Sequence, residues 1–233
     1  MKKILTLSLL FYSVFAFGQE TVRRSNKVAS FITEKFSVLK SDKSVRDGEY
    51  SAETNGQIVA AGSYHDGRRV GNWQFFDNKG KVVQSYNYDL NRLWFNDTTD
   101  VKTVEYDFVD SLKRGDRIIY PVKIGGIFYG FAPFLFDELD LSRAIIRDMG
   151  GPSEVKCRHI FTIDDKGNLV KHEVLAIVNN TSKLYELDDR RFNDEFKKFI
   201  PAMINHHTVI SKMIVTNNLK FSSVVSTGTT FIR

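Results

Sequence analysis

Between Gly62 and Trp73 the chain reads GSYHDGRRVGNW. Two glycines separated by four residues and followed by two cations nearly spell a phosphate-binding loop. That chemistry needs a strand before the loop, a helix after it, and a lysine followed by Ser or Thr to reach phosphate and magnesium. Here Arg68 and Arg69 stand in that place, and Val70–Phe76 continues as a strand. Asp66-Gly67 therefore reads as a two-residue hairpin turn. Both arginines are then expected at a solvated turn, with little weight in stability.

Five histidines raise the question of a metal. His159 and His172 fall on adjacent strands and face each other or not according to the hairpin register. Zinc takes three or four ligands, and no cysteine pair or His-x-x-x-His spacing supplies the rest, so no metal is expected. His206-His207, adjacent in an extended segment, point to opposite sides and read as solvated loop. Cys157 is flanked by Lys156 and Arg158 on an apolar strand face and reads as an inert buried thiol. Asp164-Asp165 and Asp188-Asp189 are explained by a turn and a helix cap. Neither Gly-x-Ser-x-Gly nor His-Glu-x-x-His occurs. No catalytic residue, no cofactor and no enzymatic activity are expected.

The elements that carry these residues begin with a repeat. Gly48-Glu49-Tyr50, Gly62-Ser63-Tyr64 and Gly71-Asn72-Trp73 all read Gly-x-aromatic, with Asn55-Gly56, Asp66-Gly67 and Lys79-Gly80 as turns between or after them. Gly48 and Gly71 are about 23 residues apart, a period that marks stacked supersecondary units. The alternating, aromatic-rich segments between the turns suit half-buried strands. Phe36–Leu39 makes the first strand, and Ser41-Asp42 turns into Val45–Tyr50. Trp73 shares a repeat slot with Tyr50 and is expected to fill the space between hairpins.

Residues 96–118 read as a connector with one strand at Val101–Phe108. In YPVKIGGIFYGFAPFLFDELDL, two glycines let the backbone turn closely, and Pro133 opens a helix burying Phe134, Leu135 and Leu139. Gly150-Gly151-Pro152 stops helical structure. Val155–Ile163 alternates as a strand with one buried face, turns through Asp164–Asn168, and returns along Val170–Val178. Asp188 or Asp189 is expected to cap a helix with the stripe Phe192, Phe196, Phe199 and Ile200, ended by Pro201. Val209–Phe221 supplies the last strand. The fold class is α+β: an antiparallel hairpin ribbon over 36–95, then a small α+β domain over 119–223, with an N-terminal segment at 19–35 and a tail at 224–233.

The stretch GEYSAETNGQIVAAGSYHDGRRVGNWQFFDNKGKVV resembles the MORN-like repeats of bacterial YwqK-type proteins over roughly residues 36–90. That resemblance implies a ribbon of hairpins with stacked aromatics and a binding or scaffolding role. PVKIGG and FTIDDKGNLVKHEVL, with the strand–strand–helix–strand order, resemble the C-terminal periplasmic domain of TonB energy transducers over about 120–222. That second resemblance implies partner binding by strand addition. Val209–Phe221 is accordingly expected at a sheet edge, with Ile210, Lys212, Ile214 and Thr216 as the candidate partner-binding residues.

Lys2-Lys3, the apolar run Ile4–Phe17 and Ala16-x-Gly18 have the form of a secretory signal peptide, with cleavage expected between Gly18 and Gln19. The single cysteine forbids an internal disulfide, so a core with 19 Phe, nine Tyr and two Trp must supply stability. A net charge of +5 does not argue for nucleic acid. The expectation is an exported, non-catalytic protein-binding or scaffold protein of the bacterial envelope, in the periplasm or associated with the outer membrane. If Ile4–Phe17 is retained as an anchor, the alternative is a TonB-type transducer acting on outer-membrane receptors. A peripheral membrane-surface binder is the third reading.

Overall fold

The structure is a computed structural model that describes residues 20–97, 104–136 and 139–221. Seven strands follow one another as an antiparallel meander in which each pairs with its sequence neighbours. They are β1 (Thr21–Ala29), β2 (Ile32–Leu39), β3 (Arg46–Thr54), β4 (Gln57–His65), β5 (Arg68–Phe76), β6 (Val82–Asn87) and β7 (Arg92–Asn96). The sheet thus begins earlier than the sequence suggests, since residues 21–35 are already paired in it. Asn55-Gly56 and Asp66-Gly67 make the two-residue turns, all four residues at positive φ.

The repeat glycines divide into two jobs. Gly48 and Gly71, at φ 101° and 63°, sit where β3 and β5 bulge against their partners. Gly62 has an ordinary backbone, but a Cβ there would lie 2.3 Å from the Trp73 indole. The absent side chain lets the indole lie against β4, where it is fully buried among Tyr50, Tyr64 and Tyr88.

The second unit is a five-stranded antiparallel sheet of order β13-β12-β11-β17-β8. Its strands are β8 (Val104–Phe108), β11 (Glu154–Ile163), β12 (Leu169–Val178), β13 (Thr181–Glu186) and β17 (Ser211–Lys220). The expected helix over 188–200 is not there. Two short 3-10 turns, Asp189–Arg191 and Asp194–Lys197, take its place, capped by Asp188 and Asn193. Phe199–Ile200 is instead a strand (β14) pairing with β10 (Val122–Lys123). A three-stranded patch joins β9 (Ile118–Ile119), β15 (Ala202–Ile204) and β16 (His207–Val209). The extra strand β13 also replaces the simple strand–strand–helix–strand order.

Between the sheets runs a tight π-helical turn, Gly126–Phe131, continuing into α1 (Ala132–Phe136), with α2 (Leu139–Met149) beyond. Gly125 has φ 102°, and a Cβ on Gly130 would meet the Ile124 carbonyl at 2.6 Å, so the turn closes only on glycine. Tyr129 projects from it onto the inner face of the ribbon, its ring 5.6 Å from Phe75. One apolar cluster therefore runs from Ile32, Trp73 and Phe75 through Tyr129 to Phe161 and Met213. A second, under α2, holds Leu141, Ile145, Val155, Cys157, Val174 and Ala176.

Candidate binding site

The ribbon and the second unit meet through a buried polar network. Alternation along β5 puts Arg69 on the face that also carries Trp73 and Phe75, and its side chain is only 4% exposed. Its guanidinium lies 4.5 Å from the Trp73 ring centroid. It donates to the hydroxyls of Tyr88 at 2.7 Å and Tyr129 at 2.9 Å, and to Tyr64 at 3.2 Å. Glu195, from the second 3-10 turn, stands 3.1 Å away and accepts a 2.7 Å bond from Tyr64. Burial disfavours the charge, but Tyr129, Tyr88, Tyr64 and Glu195 outweigh it and hold the guanidinium protonated. Burial first, with Glu195 adding to it and Arg69 opposing, pushes the Tyr64 phenol up to about 12.

The network continues along the ribbon. Tyr50 shares a 2.8 Å bond with Tyr129 and donates to Glu34, which receives Arg46 at 2.8 Å. The expectation of two solvated arginines is thus half right: Arg68 is exposed, and Arg69 is the centre of the seam. The missed signal was parity, since Arg69 is an even number of residues from Trp73.

The first half of the last strand is not an edge. Between Ser211 and Val215, β17 pairs with β11 on one side and β8 on the other, so the backbone there is already spoken for. Lys212, Ile214 and Thr216 point instead to the sheet face opposite the core, with Ile160 and Leu175, all half-buried. Ile210 precedes the strand and is 44% exposed. Gly18, Gln19, the apolar run and the tail from 222 lie outside the described residues.

The edges that are open, among the described residues, are β1 and β7 of the large sheet and β13 and β8 of the small one. They differ in character. β1 carries Arg23, Arg24 and Lys27, the charge that guards an edge against unwanted pairing. β7 and the turn before it instead expose Leu90, Trp94 and Phe95, at 63%, 50% and 46%. Arg92 stacks over Trp94, and the indole N–H donates to Asn72 at 3.2 Å, so the ring is held in place on the surface.

His159 and His172 sit diagonally rather than opposite, because the register pairs His159 with Val174 and Phe161 with His172. Their rings still meet, Nδ1 to Nε2, at 3.2 Å. Asn217 donates its amide to the Leu135 carbonyl, which turns its oxygen to His159 Nε2 at 3.1 Å. His159 therefore donates there, which leaves Nδ1 as the acceptor toward His172, whose own Nδ1 lies 3.1 Å from an Asp189 carboxylate oxygen. Burial, then the neighbouring His172, pushes His159 down to about 3. This polar chain separates the two apolar clusters on one sheet face. Cys157 is buried in the second of them. No protein-family model, no curated protein and no solved structure matches the chain.

Proposed function

We propose that the chain is an exported, non-catalytic binding or scaffold protein of the bacterial cell envelope. In this reading the seven-stranded meander is a MORN-like ribbon of the YwqK kind, and the second unit is a TonB-C-like partner-binding domain. The observation that supports it best is the contrast between the guarded edge β1 and the apolar edge β7. An edge strand with exposed Trp94 and Phe95, whose outer backbone groups have no partner among the described residues, is suited to accepting an extended segment of another protein. Docking by strand addition falls to β7, because β17 is already paired on both sides from Ser211 to Val215.

A photo-crosslinking residue placed at Trp94, in cells that make the protein, tests this. The expected outcome is a discrete crosslinked envelope protein, lost on adding Phe95→Lys and absent when the crosslinker sits at Arg24. Equal capture from both edges, or capture that survives Phe95→Lys, removes the reading. N-terminal sequencing of the same material is expected to begin at Gln19. Recovery with Met1 in the inner-membrane fraction points instead to the anchored transducer.

A further inference from the structure

At the seam a cavity of about 270 Å³ opens between the end of the ribbon and the second unit. Val83, Val104, Val122, Ile127, Phe128 and Met213 supply much of its wall, and it reaches solvent beside Tyr120, which is 48% exposed. An apolar cavity of about 150 Å³ is enough to take up benzene. This one has room for a fused double ring or a hydrocarbon chain of about eight to ten carbons.

Of the polar residues in the wall, Gln84, Lys123 and Asp97 have their groups committed elsewhere, which leaves the Tyr106 and Tyr120 hydroxyls and the Asn96 amide N–H2 as its neutral polar groups. Gln84 donates to Asn96 and to the Lys123 carbonyl, and its oxygen accepts from the Gly125 N–H at 2.7 Å. The Lys123 amine donates to the carbonyls of Phe196 and Lys198, and burial first, then Arg69, drives it toward the neutral form. Asp97 is paired with Lys81 at 2.6 Å. A charged ligand would find no unspent counter-charge here, and water filling the cavity would find few partners.

From this we infer that the cavity is a binding site for a single uncharged-headed hydrocarbon chain, tail inward and head at the Tyr120 mouth. A free long-chain alcohol and the acyl chain of a neutral lipid share this chemistry. Its wall includes Asn96, the last residue of β7, but none of the exposed Leu90, Trp94 and Phe95, so it needs nothing docked at that edge.

The test uses the full mature chain and the fluorescent probe N-phenyl-1-naphthylamine. Saturable binding of one probe per chain is expected, displaced by 1-decanol more effectively than by decanoate. Mono-decanoylglycerol, compared with 1-decanol, separates the lipid source from the free alcohol by which displaces at lower concentration. Val83→Phe and Val104→Phe, each filling the cavity from a different wall, are expected to weaken probe binding at least tenfold. Methyl NMR of the unmodified protein serves if either variant misfolds: decanol should shift Val83, Val104 and Ile127 but not Ile145 or Val174. Absence of saturable binding, tighter binding of decanoate than decanol, or shifts outside these wall methyls overturns the proposal.

Discussion

Replacing Arg69 with methionine asks how much the seam depends on one buried cation. Methionine keeps most of the stem volume, so the experiment isolates the guanidinium and not a cavity. Three phenols lose a donor, Tyr64, Tyr88 and Tyr129, and Glu195 loses its countercharge. Two of the phenols keep another bond, Tyr64 to Glu195 and Tyr129 to Tyr50. Glu195 loses its ion-pair partner, but its side chain is 29% exposed, so water relieves part of the penalty. Breaking a buried pair from one side costs about 3–5 kcal/mol, and that relief places Arg69→Met near the low end, at about 3 kcal/mol. Arg68→Ala, one residue away and solvated, should stay within about 0.5 kcal/mol. Urea denaturation with unchanged m-values is the assay. A double-mutant cycle with Glu195→Gln should return a coupling of about 1 kcal/mol or more. A loss for Arg69→Met no larger than for Arg68→Ala, or a coupling of zero, would refute the account of the seam.

Two further predictions concern the cores. Gly62→Ala drives a methyl into the Trp73 indole and should cost about 3 kcal/mol; a change below about 0.5 kcal/mol in the same urea assay would mean the ring does not lie against β4. His159 has its folded pKa depressed from 6.5 to about 3, by burial first and His172 second, so the unfolded chain takes up the proton first. Its contribution is fully present above about pH 6.5 and is lost as pH falls toward 3, amounting to about 2 kcal/mol by pH 5. His159→Gln should flatten stability between those limits, and a pH profile identical to the parent protein's would argue against a neutral buried imidazole.

What was legible in the sequence was what local chemistry decides. Asn55-Gly56 and Asp66-Gly67 demand tight turns, and the aromatics between them alternate, so the ribbon and its α+β companion could be read directly. The helix expected at 188–200 failed because Phe192, Phe196 and Phe199 satisfy helical spacing, yet Asn193 restarts the chain and Phe199 is claimed by Lys123 in a strand pair. That claim comes from more than seventy residues away, beyond any window of periodicity. The expectation of an edge at β17 failed for the same reason, since β8 is remote in sequence. Arg69 was hidden differently: two adjacent arginines look like surface, and only the side of the strand separates them.

The meander has a consequence for how the chain is made. Its strands pair with their immediate neighbours, so each hairpin closes over a short loop and needs nothing downstream. The aromatic wall those hairpins build is another matter, because Tyr129 and Glu195, which complete it, are synthesised later. During elongation, which proceeds from the N-terminus, a zipped ribbon waits with Tyr50, Trp73 and Phe75 uncovered. β8 waits longer still, for β17 near the far end. A nascent chain stalled after β7 is therefore folded in its backbone but adhesive on one side, the kind of species a holding chaperone recognises.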